Sequence, residues 1–221
     1  MSKILVIAPH PDDEVLGCGG TIKKYVESGD EVYLCIITKP RVPDWSEEYI
    51  ASKQKEIEAS NKALGFKETF FLDLPALRLD TIAQKDLNDQ LIKICEKLKP
   101  QILYIPFFGD INHDHQIVSR AGLVAARPKP GSLVKKIFAY EVLSETEWNM
   151  PRDSVFVPNY YEDISGFVDA KKEAMACYKS ELKEYPHPRS LEGIEILAKK
   201  RGIEAGLEYA EAFMLIREIN K

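Results

Sequence analysis

Only four histidines occur in 221 residues, and each sits in a polar or proline-punctuated turn: Pro9-His10-Pro11-Asp12-Asp13-Glu14, Asn112-His113-Asp114-His115 and Pro186-His187-Pro188. His10 and Asp13 stand three apart across a tight turn, close enough for an imidazole nitrogen and a carboxylate oxygen to converge on one ion. Asp12, between them, cannot easily join from the same side. A carboxylate held beside a metal without binding it is what a water-activating general base requires. His115 supplies a third candidate ligand. Three N/O ligands with an open position suit catalytic zinc, whose bound water has a pKa of about 7; iron and cobalt accept the same donors. The bland reading uses the same residues: Asp12, Asp13 and Glu14 would also complement a helix N-terminus electrostatically. Spacing alone leaves both readings open.

The elements that must position these turns are readable. Ile4 to Ala8 is a short, wholly apolar run ended by Pro9, the pattern of a strand buried on both faces of a parallel sheet. Residues 14–28 have helical spacing with Gly29 as a stop, and Val32 to Thr38 is a second strand. A charged helix follows over 46–64, with Ser46 as N-cap and Gly65 as terminator. Thr69 to Leu72, a helix over 81–98, Ile102 to Pro106 and a helix over 114–126 continue the alternation. The pattern predicts a Rossmann-like three-layer α/β sandwich with a mostly parallel sheet. In such sheets ligands bind outside the carboxyl ends of the strands, so the first and fourth strands deliver both His/Asp turns to one rim.

Beyond residue 130 the pattern is less regular. Lys136 to Tyr140 and Ser154 to Val157 read as strands, 167–180 and 190–206 as helices, and Tyr209 to Arg217 as a strand or a helix. With no repeat, low-complexity tract or linker, residues 1–221 read as one domain, with the core sheet over about 1–140 and the remainder completing the site.

A formal net charge of -5 and a pI near 5.5 disfavour a nucleic-acid-binding face. Cys18, Cys35, Cys95 and Cys177 lie far apart, which indicates reduced thiols and neither a zinc ribbon nor a disulfide framework. No apolar stretch approaches the roughly 20 residues that span a bilayer, and the N-terminus lacks a signal-peptide pattern. A cytoplasmic protein without membrane insertion is expected, with homo-oligomerisation left open.

The run Ala8-Pro9-His10-Pro11-Asp12-Asp13-Glu14, followed by Leu16-Gly17-Cys18-Gly19-Gly20-Thr21, resembles the signature of the LmbE/PIG-L family of metal-dependent N-deacetylases. The resemblance continues through Glu56, Ala59 and Leu64-Gly65, then Gly109 to His115, Pro186 to Ser190, Arg201-Gly202 and Tyr209 to Phe213. It implies His10, Asp13 and His115 as ligands of one zinc ion and Asp12 as general base. The implied reaction is hydrolysis of an N-acetyl group on a small amino sugar or sugar conjugate. One departure matters. Many members carry a histidine where this chain has Asn112, so the resemblance leaves the acid unassigned. Asn112 can donate to an oxyanion but cannot act as an acid, which makes His187 a candidate to protonate the leaving amine or steady the oxyanion. Asp114 is expected to orient a histidine, and His113 to neighbour the site.

Arg78, and Arg41 with Trp45, lie on loops expected at the same rim, where an arginine would grip a phosphate or a sugar hydroxyl. Gly17, Gly19 and Gly20 lack phosphate-loop spacing and follow three acidic residues, so close helix–sheet packing explains them better. Two other readings compete with the deacetylase. One is a metal-dependent phosphoesterase, which needs more bridging carboxylates than the sequence supplies. The other is a non-catalytic carbohydrate- or nucleotide-binding protein, which an intact Asp12 argues against and Asn112 leaves open.

Overall fold

Alternate residues of the first strand enter different cores. In β1 (Lys3–Ala8), Ile4, Val6 and Ala8 face one side of the sheet, and Leu5 and Ile7 the other. All five are fully buried, each larger side chain contributing about 1.5–3 kcal/mol. That two-sided burial is why the strand reads as a continuous apolar run. The computed structural model describes residues 1–150 and 154–220.

The chain continues through α1 (Asp13–Glu27), β2 (Glu31–Lys39), α2 (Glu47–Leu64), β3 (Glu68–Pro75), α3 (Gln84–Leu98), β4 (Ile102–Pro106), α4 (His113–Ala125) and β5 (Lys136–Tyr140). It ends with β6 (Tyr160–Asp163), α5 (Val168–Cys177), α6 (Leu191–Ala205) and β7 (Ala210–Glu218). The strand order is β3-β2-β1-β4-β5-β7-β6. β1 to β5 are parallel, while β7 runs antiparallel to both β5 and β6. Val15, Ile57 and Met175, from α1, α2 and α5, cover one face of the sheet. Leu91 and Val118, from α3 and α4, cover the other. The expected three-layer sandwich is therefore present.

Local chemistry accounts for the element ends. The Ser46 side chain accepts from Tyr49 N, and Gly65 takes φ 88°, so α2 is capped at both ends as its sequence suggests. The helix expected from residue 81 begins at Gln84, because Leu79–Thr81 forms a separate 3₁₀ turn. The strand expected at Ser154 to Val157 is irregular chain; the strand lies at Tyr160–Asp163 instead. Among the described residues it pairs only with β7, and it is largely half-buried, so no apolar run marks it. The ambiguous run at Tyr209 to Arg217 is the strand β7.

Helix α1 is broken at Cys18 (φ -142°, ψ 18°) and is spliced from a distance. The carboxylate of Glu211, on β7, accepts from Gly20 N at 2.9 Å and Thr21 N at 2.8 Å. Lys171, on α5, donates to Leu16 O at 2.8 Å and to Glu211 at 2.6 Å. The backbone groups freed by the break are thus satisfied by one buried ion pair. Gly17 and Gly20 give the helix its close approach: a methyl group on them would collide with the Tyr140 ring and with Ile164. No helix among the described residues is long and apolar enough to cross a membrane.

Candidate metal centre

β1 and β4 are neighbours, but the chain leaves them toward opposite edges of the sheet. The crevice that opens between their carboxyl ends is where ligands sit in this architecture. The turn after β1 is tied by a hydrogen bond from His10 N to Asp13 Oδ2 at 2.8 Å. Asp12 caps α1 with φ 116°, a left-handed conformation rare for a non-glycine residue and concentrated at functional sites. On the second turn, Asn112 caps α4 by accepting from Asp114 N through Oδ1 at 3.1 Å. That leaves its amide NH₂ to the cleft, which Asn112 lines.

Three donor atoms converge. His10 Nδ1 and Asp13 Oδ2 are 3.3 Å apart, as are His115 Nε2 and Asp13 Oδ2, and His115 Nε2 and His10 Nδ1. Two ligands placed ~2.0–2.1 Å from one tetrahedral ion lie about 3.3 Å from each other. The triangle therefore has the edge lengths of a tetrahedral face, and His10, Asp13 and His115 could together hold a metal ion.

The far nitrogen of each ring is held. His10 Nε2 donates to Asp114 Oδ2 at 3.1 Å, and Asp114 also accepts from Leu77 N and Leu79 N. His115 Nδ1 donates to Asp110 Oδ2 at 2.8 Å, while Asp110 Oδ1 accepts from Thr146 Oγ1. Carboxylates in these positions fix the tautomer and orientation of metal-binding imidazoles.

The field around the triad favours cations. Burial alone would lower the pKa of His10, but hydrogen bonds to Asp114 and Asp13 outweigh it and push the value up to about 9. Burial would likewise raise Asp13, yet His115 and His10 hold its carboxyl below the usual range. Carboxylate surroundings that raise the pKa of both His10 and His115 offer a metal cation the same attraction. Burial and the neighbouring Asp13 charge push Asp12 up, with Arg189 pulling against them.

The cleft beside the triad is lined in part by Asp12, Asn112, Trp45, Glu145, Glu181 and Arg189. Arg189 joins three segments: Nη1 lies 3.3 Å from Asp12 and 3.4 Å from Glu181, and Nη2 lies 2.9 Å from Glu145. Lys53 is paired with Glu181 at 2.5 Å. The other residues singled out from sequence lie elsewhere. The His187 ring stands edge-on to Trp148 at 5.6 Å and its Nδ1 accepts from Arg189 N, outside the cleft lining. Burial, with Arg189 and Lys183 nearby, lowers its pKa. Arg41 donates to Asp73 O, and Arg78 pairs with Asp44. Neither arginine lines the cleft, and His113 is exposed. Sequence reasoning missed Asp110, Lys53, Glu145, Glu181 and Arg189 as site residues. The only signal for two of them was membership of motif segments, Asp110 in Gly109–His115 and Arg189 in Pro186–Ser190.

A Rossmann-type sheet with a His/Asp/His cluster at its switch point defines the class. Residues 5–126 match the PIG-L family, described as GlcNAc-PI de-N-acetylase. The chain belongs to the PIG-L family. It is 26% identical over 239 residues to diacetylchitobiose deacetylase of Thermococcus kodakarensis, covering 98% of this chain and 84% of that protein. It is 24% identical over 188 residues to the probable N-acetyl-alpha-D-glucosaminyl L-malate deacetylase 2 of Bacillus cereus, covering 80% and 83%. Among solved structures, the conserved protein TT1542 of Thermus thermophilus superposes with a TM-score of 0.81 at 25% identity, covering 100% of this chain and 97% of that one.

Proposed function

We propose that the chain is a zinc-dependent N-deacetylase that hydrolyses the acetamide of an N-acetylated amino sugar or sugar conjugate. The observation that carries this reading is the 3.3 Å triangle of His10 Nδ1, Asp13 Oδ2 and His115 Nε2, with Asp12 in the same cleft. Family membership and the named activities of the two relatives support it. Zinc is favoured by the mixed N/O donor set; iron and cobalt remain chemically compatible.

A divalent ion at the triad would polarise the amide carbonyl and acidify a water molecule to a pKa of about 7. The chain's own groups account for the rest. Asp12 takes the proton of the attacking water, and Arg189 holds its Oδ2 from behind. The Asn112 amide, its Oδ1 engaged as a helix cap, donates to the developing oxyanion. With His187 turned toward Trp148, Asp12 is also the group placed to return a proton to the leaving amine. Asp114 and Asp110 keep the two imidazoles aimed. The whole chain works as one unit in this scheme, its C-terminal part contributing Glu145, Glu181 and Arg189 to the cleft.

The test is metal analysis of the purified protein, followed by acetate release from N-acetylglucosamine and its oligosaccharides. Acetate release that disappears with chelation and returns with zinc is the expected result. Activity unchanged after complete metal removal would sink the reading.

A further inference from the structure

Before any substrate enters, the cleft carries more carboxylates than cations, and its cations are all engaged. Asp12, Asp13, Glu145 and Glu181 line it against two cations, Lys53 and Arg189. Both cations are engaged: Lys53 by Glu181 and Glu56, and Arg189 by Asp12, Glu145 and Glu181. A divalent ion at the triad would cancel the remaining excess of negative charge. The two arginines that sequence suggested as anion grips are turned to other partners, Arg41 to Asp73 and Arg78 to Asp44. Among the described residues of the lining, no Lys or Arg is left for a phosphate or a carboxylate. An anion would have to strip a carboxylate from Arg189 and then face that carboxylate at close range, and like charges there repel.

The same residues suit a neutral polyol. Glu145 meets Arg189 through Oε1 and, among the described residues, has no hydrogen-bond partner on Oε2, which can accept from a sugar hydroxyl in a charge-assisted bond stronger than a neutral one. Trp45, half-buried on the cleft wall, gives an apolar surface for the C–H face of a sugar ring.

Resting on the deacetylase reading, we infer that this cleft accepts an uncharged N-acetylated sugar and rejects the same sugar carrying an anionic substituent, with Glu145 enforcing the choice. The distinction separates the two kinds of substrate named for the relatives, a neutral chitobiose and a malate conjugate.

The experiment compares N,N'-diacetylchitobiose with N-acetylglucosaminyl malate on the zinc-loaded protein. The neutral sugar is expected to show at least about tenfold higher kcat/KM, a lower bound for a like-charge contact that binding must overcome. Glu145→Gln is expected to narrow that ratio. Binding is read separately, by calorimetry on the zinc-loaded Asp12→Asn variant. That variant has lost one cleft carboxylate, which favours the anion, so a surviving preference for the neutral ligand is the stricter result. If neither compound is hydrolysed, the deacetylase reading fails while the binding comparison still decides the inference. Equal or better use or binding of the malate conjugate overturns it. A ratio that Glu145→Gln leaves unmoved removes Glu145 from the role.

Discussion

Asp110 and His115 meet at 2.8 Å with neither side chain reaching solvent, and the bond leaves Nε2 as the imidazole atom that faces Asp13. Removing the carboxylate frees the ring to rotate and to change tautomer. Asp110→Ala is expected to weaken metal affinity by about 10–100-fold. Competition with a chelator of known affinity measures this, and an unchanged zinc dissociation constant would rule out the orienting role.

Asp12 combines a chemical task with a costly backbone conformation. Asp12→Asn should keep the fold and the metal but lower kcat by about 10²–10⁴. Asp12→Gly and Asp12→Ala separate the backbone contribution. At φ 116° glycine is unstrained, so the glycine variant should be the more stable of the two by about 1 kcal/mol. Urea denaturation compares them; an alanine variant as stable as the glycine one refutes the strain.

Gly17 lies against Tyr140, whose hydroxyl donates to Ile7 O at 2.8 Å in the centre of the sheet. The ring therefore cannot easily yield. Gly17→Ala is expected to cost about 1–3 kcal/mol, while Gly166→Ala, with open space around its added methyl, serves as a near-neutral control. Equal thermal stability of the two variants would show that the packing is looser than described.

The Lys171–Glu211 pair is almost wholly enclosed. Lys171→Met alone strands a carboxylate inside the protein and should cost about 3–5 kcal/mol. Adding Glu211→Gln removes the stranded charge, so the double variant should be more stable than Lys171→Met by itself. Chemical denaturation of both decides the order.

The Glu204 carboxyl carries a pH signature. Burial pulls its pKa upward, but hydrogen bonds from Lys200 and Arg201 and their positive charges together prevail and bring it to about 2, against an ordinary 4.5. A folded-state value below the unfolded one means the stabilisation is complete above pH 4.5 and is lost as pH falls toward 2. The group is partly exposed, so the effect is screened. Glu204→Gln should flatten the fall in melting temperature between pH 4.5 and 2; an identical slope would refute the coupling.

The amino-terminal half was legible because its physics is local. Ile4 to Ala8 advertises two-sided burial, Ser46 and Gly65 mark a helix by their capping chemistry, and both metal-competent turns follow strands that any βα pattern reveals. Asp12, Asp13 and His115 could be named for the same reason. Arg189, Glu145, Glu181 and Lys53 could not. Each lies on a different segment, where a charged residue ordinarily faces solvent, and only the folded arrangement brings them together. His187 drew attention through its prolines and its imidazole; it stands outside the cleft lining, and the residue two positions later enters the cleft. β6 was misplaced because an outer strand paired on one side has no apolar run to announce it.

The splice of α1 by Glu211 also sets an order on synthesis. Gly20 is made before the carboxylate that it pairs with, which lies 191 positions further along the chain. β5 likewise waits for β7, so its outer edge stays unpaired until residues 213–218 have been made. The helix that begins at the metal-competent turn therefore reaches its finished form only after residue 211 has been made. A nascent chain stalled before Glu211 should be protease-sensitive in α1 even though every candidate metal ligand is already present.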